Sequence, residues 1–132
     1  MRNLACLAFG PLVLAACGYK PGPEVADTRK NMIPIVKALT DYKKDLQKFP
    51  PTLADLSNKP PAKSPEEKKW KGPYLKVELP RDGWGNPFVY NPQGTGGAAF
   101  DLISYGADGK EGGKNDDQDI AHDPRSLPKP KK

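Results

Sequence analysis

An α+β fold, with one long N-terminal helix against a small antiparallel sheet, is predicted by three features of the sequence. Apolar residues recur at helical spacing between Asp27 and Lys48, two short apolar runs flanked by Gly, Pro, Asn and Asp follow late in the chain, and the second run alternates so that one side can face the helix. With 132 residues the chain has room for one domain, and 16 prolines with 13 glycines make much of it turn and loop around a modest core.

The helix is expected from a cap at Asp27 or Thr28 to about Lys48. Met32, Ile35, Val36, Leu39, Tyr42 and Leu46 fall on one stripe, while Lys30, Lys37, Asp41, Lys44, Asp45 and Lys48 fall largely on the other side. Pro34 interrupts the pattern, so the helix either kinks there or begins near Ile33. Phe49-Pro50-Pro51 ends it, and Thr52 caps a brief second helical turn, Leu53 to Ser57, with Leu53 and Leu56 facing inward.

Asn58 to Lys69 is Pro, Lys, Glu and Ser, a solvated loop without a core face. Trp70 and Tyr74 return as lids on a small core. Asp82 to Asn86 is a turn in which two glycines flank Trp84 and let the backbone approach its neighbours closely. Phe88 to Tyr90 and Phe100 to Tyr105 are the expected strands, joined by a turn at Asn91 to Gly97. In the second strand Phe100, Leu102 and Ser104 alternate with Asp101, Ile103 and Tyr105, so one side can face the helix.

Carboxylates crowd only after that strand. Asp108, Glu111, Asp116, Asp117 and Asp119 lie within twelve residues, and like charges that close repel unless water or a cation separates them. A hard cation such as calcium takes six to eight oxygens, and a glycine-rich loop can turn its carbonyls inward to supply some of them. The spacing is not that of an EF-hand, because Lys110 and Gly112 stand where that loop needs oxygen ligands. A surface loop of solvated carboxylates is the other reading.

The net charge of +5 is uneven. Gly18 to Lys71 holds twelve Lys or Arg against seven Asp or Glu, Gly72 to Asp119 four against eight, and Ile120 to Lys132 four against one. No glycine-aromatic or zinc-finger spacing accompanies the basic half, so nucleic acid is not an expected partner. Nor is an enzyme expected. His122 is the only histidine and lies beside a basic, Pro-rich tail expected to be disordered. No Ser or Cys nucleophile has a partner identifiable by spacing, and no phosphate-cradling glycine motif precedes a helix.

The first residues read as an export signal: Met1-Arg2-Asn3 is a short positive start, and Leu4 to Leu14 is mostly apolar but too short to span a bilayer. Leu14-Ala15-Ala16-Cys17 resembles the lipobox of bacterial lipoproteins, which implies cleavage before Cys17 and acylation of its thiol and new amine. Several acyl chains on one residue give stable anchoring where one does not. Gly18, not Asp, at the next position favours the outer membrane. The organisation expected is a signal peptide at 1–16, a lipidated Cys17 and tether at 17–26, a domain at 27–120 and a tail at 121–132.

Several motifs fall in order along the chain. They are Ala38-Leu39 with Asp41-Tyr42-Lys43, Phe49-Pro50, Thr52, Trp70-Lys71-Gly72-Pro73-Tyr74-Leu75-Lys76 and Leu79-Pro80, then Asp82, Trp84-Gly85-Asn86-Pro87, Tyr105-Gly106-Ala107-Asp108-Gly109, Gly112-Gly113 and Asp119-Ile120. From Asp27 to Ile120 the series resembles the major pseudopilins of type II secretion systems, protein G. The resemblance implies a pseudopilin-like head, a long helix across a small antiparallel sheet with a C-terminal calcium loop. It further implies Asp108 and Asp119 as side-chain ligands of Ca2+, assisted by Asp116 or Asp117 and by the backbone carbonyls of Tyr105 and Lys110. Pseudopilins also begin with a short basic leader and an unbroken apolar helix that packs into the filament core, and Leu4 to Ala16 does not match that pattern. The expectation is therefore a lipid-anchored, calcium-binding pseudopilin-like adaptor facing the periplasm, with secretion or pilus components as partners. The alternative is an envelope lipoprotein that holds an anionic polymer on Lys30, Lys37, Lys44 and Lys48, with binding that weakens steeply with salt.

Overall fold

The computed structural model describes residues 19–122 of the chain; the signal segment, Cys17 and Gly18, and the tail from 123 onward lie outside them. The single long helix, α1, runs Pro23–Leu46. It begins four residues before Asp27, the earlier of the two expected caps, because Pro23 reads locally as tether but is a good first helical residue: its fixed φ suits the first turn, where an N–H has no partner anyway. Gly22 is the cap and Glu24 places a negative charge in the first turn, where the helix dipole favours it. The tether expected to extend through residue 26 thus gives up its last four residues to the helix. Thr28 is no cap but a fully buried residue inside α1.

The helix runs through Pro34. The hydrogen bond Pro34 forfeits is the one to the Lys30 carbonyl, on a side where Lys30 and Ile33 are exposed and water can take its place. α1 is capped by Gln47, whose left-handed φ of 62° lets its N–H return to the Lys43 carbonyl at 2.8 Å.

All six apolar residues of the stripe are buried, with Ile35 and Leu39 at 0% exposure. Beneath them lies an antiparallel sheet of β1 (Val89–Asn91), β2 (Asp101–Ser104) and β3 (Ile120–Ala121), in that order. Leu102 pairs with Tyr90, Ser104 with Ile120. As the alternation predicts, Phe100, Leu102 and Ser104 are buried while Asp101, Ile103 and Tyr105 are half-buried. β3 is not foreseen by the sequence reading, which ends the domain at Ile120. Ala121 in fact pairs with Ile103, and the His122 N–H donates to the Leu102 carbonyl at 2.8 Å. Of the residues assigned to the tail, Ala121 therefore belongs to the sheet and His122 is hydrogen-bonded to it.

The remaining core is closed by loops. Leu53–Leu56 forms a 3-10 turn whose Asp55 carboxylate accepts from the Thr52 N–H at 3.0 Å, with Leu53 and Leu56 buried as expected. The Leu56 carbonyl accepts from the N–H groups of Tyr74 and Leu75, at 2.8 and 3.1 Å, so this turn ties down the segment that follows the lysine-rich loop. Trp70 and Tyr74 do cap the core: Tyr74 meets Tyr42 edge-on at 5.4 Å and Trp70 at 5.9 Å. Phe49 meets Phe100 at 5.0 Å from the other side.

The Tyr90 phenol donates to the Pro50 carbonyl at 2.8 Å, and burial pushes its pKa well above the ordinary phenol value. A raised folded-state pKa stabilises the fold fully below the ordinary value and loses that contribution as pH rises through it. The Tm should therefore fall as pH climbs past about 10, and Tyr90→Phe should flatten that fall; thermal melts across the alkaline range check it.

Candidate functional site

The acidic loop begins where β2 ends, and its position is set by Asp82. This carboxylate is 5% exposed. One oxygen accepts from the N–H groups of Trp84 and Asn86 at 3.1 and 2.8 Å, and the other from the Ser104 hydroxyl on β2 at 2.6 Å. Ser104 Oγ in turn accepts from the Gly106 N–H at 3.2 Å, and the Asn86 side-chain amide donates to the Gly106 carbonyl at 3.0 Å. Asp82 thus closes its own turn and fastens that turn to the first residues of the loop. The Asp-Gly-x-Gly-Asn sequence signals the turn. It carries no sign of the buried carboxylate's partner 22 residues further on.

The same turn is held to α1. The Thr28 hydroxyl donates to the Glu24 carbonyl at 2.7 Å and accepts from the Gly83 N–H at 2.8 Å. Gly83 lies so close to the helix that an added Cβ would overlap the Glu24 carbonyl and sit 2.6 Å from its Cα. Gly83→Ala should destabilise the protein by about 1–3 kcal/mol, because backbone and not a flexible side chain must move; chemical denaturation measures it.

Beyond Gly106 the loop folds on itself. The Ala107 N–H donates to the Asp116 carbonyl at 2.8 Å, and Asn115–Asp117 makes a 3-10 turn. Gly106, at φ 74°, is pressed against this turn: a Cβ there would lie 2.7 Å from the Asp116 carbonyl oxygen.

The residues expected to hold calcium are placed as follows. Asp108 accepts from the Lys110 N–H at 3.0 Å, and both oxygens of Asp119 accept from the Gly112 N–H at 3.0 Å. Asp116 accepts a hydrogen bond from the Tyr19 phenol, which pushes the Tyr19 pKa up to about 12. Asp117 and Lys110 are exposed, and Tyr105 is half-buried. Among the described residues no group of three or more His, Cys, Asp or Glu side chains is gathered to hold a metal ion. The donor chemistry, carboxylates on a glycine-rich loop, fits a hard cation, while the carboxylates of Asp108 and Asp119 are turned to backbone N–H groups.

Of the four lysines expected to form a polyanion-binding face, two are paired: Lys37 with Asp41 at 3.2 Å and Lys48 with Glu66 at 2.6 Å. That pairing leaves Lys30 and Lys44 to carry such a face. No helix among the described residues is long and apolar enough to cross a membrane.

The family model described as type II secretion system (T2SS), protein G, matches residues 17–123. The type II secretion system core protein G of Pseudomonas aeruginosa is 48% identical over 91 residues, covering 67% of this chain and 63% of that protein. Its Xanthomonas campestris counterpart is 42% identical over 85 residues, 64% of this chain and 55% of that one. In Vibrio cholerae the core protein G is 39% identical over 106 residues, 75% of this chain and 70% of that one. The chain thus spans less than two thirds of the length of the first two relatives. The crystal structure of the major pseudopilin from the type 2 secretion system of enterohaemorrhagic Escherichia coli superposes with a TM-score of 0.58 at 22% identity, over 86% of this chain and 96% of that one. At that identity the likeness speaks for the fold: a long helix on a small antiparallel sheet.

Proposed function

Because this chain belongs to the type II secretion system protein G family, we propose that it is a pseudopilin-like structural module of the cell envelope, calcium-binding and tethered by lipid on Cys17. The observation that carries the structural role is the family match over residues 17–123, which takes in the whole of the helix, the sheet and the acidic loop. The module has no catalytic role; its partners are other secretion or pilus components, met on the periplasmic side.

Calcium supplies the charge that the acidic loop lacks. Asp108 and Asp119 would hold it, with Asp116 or Asp117 and the carbonyls of Tyr105 and Lys110 completing the oxygen set. What supports this is the donor chemistry, together with the Asp82 network that fixes the start of the loop. Support for the lipid is the Leu14-Ala15-Ala16-Cys17 run, and Gly18 after it favours the outer membrane.

Two measurements test the reading. Mass spectrometry of the chain extracted from membranes should find an N-terminus at Cys17 carrying acyl groups, and Cys17→Ser should move the protein to the soluble fraction. Cross-linking in cells should trap the chain on pseudopilins or other secretion components at physiological salt. Recovery of polyanion alone, in a salt-sensitive complex, would favour the lysine face instead.

A further inference from the structure

The contact between Tyr19 and Asp116 joins residues 97 apart in sequence, and it ties the segment that precedes α1 to the acidic loop. The acidic loop also sits at the N-terminal end of α1: Gly83 packs on Glu24, and the same turn reaches Gly106 through Asn86. At the other end of α1, about 36 Å away for a helix of 24 residues, lies the lysine-rich loop, where Lys48 pairs with Glu66 and the Lys63 N–H donates to Glu67. The domain therefore has two poles, and Tyr19 fastens the incoming chain to one of them.

We propose that the Tyr19–Asp116 clasp turns the acidic-loop pole toward the membrane that holds Cys17. The inference rests on the lipid-anchor reading above. Tyr19 is two residues from Cys17, so its Cα lies at most about 7 Å from that of the acylated residue. With the clasp made, the leash between bilayer and domain is those two residues, and Asp116 stands at its end. With the clasp broken, the leash lengthens to the six residues before Pro23, about 20 Å when extended, and the domain is free to turn. The partner surface is the bilayer headgroup layer, and the loop facing it is exposed from Ala107 to Gln118.

The test uses the full lipoprotein in phosphatidylcholine vesicles that carry a headgroup spin label; these lipids have no net charge, so loop repulsion does not decide the result. A fluorophore is placed at Glu111→Cys or at Lys63→Cys, each with and without Tyr19→Phe. The probe at 111 should be quenched at least about twofold more than the probe at 63, given poles about a helix length apart, and Tyr19→Phe should narrow the difference, since the longer leash still ends at the acidic-loop end of α1. Hydrogen exchange in chelator reads the clasp itself: amides 107–118 should exchange about three- to tenfold faster in Tyr19→Phe. Asp116→Ala should do the same, and the double variant should be no faster than either single one. Equal quenching at the two positions, or a difference that Tyr19→Phe leaves unchanged, overturns the proposal. A chain recovered soluble and unacylated overturns the orientation through its anchor, and the exchange data then tell that failure from failure of the clasp.

Discussion

Asp82→Ala is expected to destabilise the protein by about 3–5 kcal/mol. Three donors lose a charged acceptor at once: the Trp84 and Asn86 N–H groups and the Ser104 hydroxyl. Hydrogen bonds to charged groups are worth about 1.5–3 kcal/mol each, and donors left unpaired in the interior add their own desolvation penalty. Part of the loss is recovered as the turn relaxes and admits water, which keeps the total below the sum. For a domain of this size the Tm should drop by roughly 15–30 °C. Asp82→Asn keeps the shape and one acceptor, so it should lose less than half as much. Thermal melts of the two variants separate a role of the charge from a role of the side-chain volume. The loop should register the change as well: Gly106 depends on Asp82 through Ser104, so amide exchange after residue 106 should accelerate in Asp82→Ala.

Leu39→Ala should cost about 3–4 kcal/mol, within the range for a leucine removed from a closed core. Leu39 is 0% exposed and sits mid-helix among Ile35, Val36 and Tyr42, all at or below 5%. Nothing at this position can collapse cheaply, because the helix above and the sheet below are joined through the Asp82 turn as well as through packing. Urea denaturation should show a lower midpoint with an unchanged slope, since the surface exposed on unfolding is nearly the same. The variant should stay folded at room temperature if the total stability lies in the usual range of about 5–15 kcal/mol.

What could be read from the sequence, and what could not, follows the range of the interactions. The stripe from Met32 to Leu46 was legible because a 3.6-residue period is written entirely within one helix. The alternation of Phe100, Leu102 and Ser104 was legible for the same reason on a strand. The start of α1 was not: Pro23 has no N–H to donate, and what favours helix there is its fit to the first turn and the docking of Gly83 on Glu24. β3 is two residues long and has no pattern; it is a strand only because β2 offers it partners. At the candidate site, the crowding of carboxylates was visible, as was the Asp82 turn. The depth of Asp82 was not, because it depends on Ser104, and neither was Tyr19, which meets Asp116 across almost the whole chain.

Family membership gives the module its place, and the acidic loop gives it its proposed chemistry, so the decisive measurement is thermal unfolding of the protein in 10 mM calcium and in chelator, alongside Asp108→Ala. Extracellular-type calcium sites have dissociation constants of about 0.1–1 mM, so calcium should add about 1–3 kcal/mol and raise the Tm by roughly 5–20 °C. Asp108→Ala should melt at one temperature in both buffers, near that of the original protein in chelator. A single Tm shared by the original protein with calcium, the original protein with chelator and the variant would contradict the calcium loop.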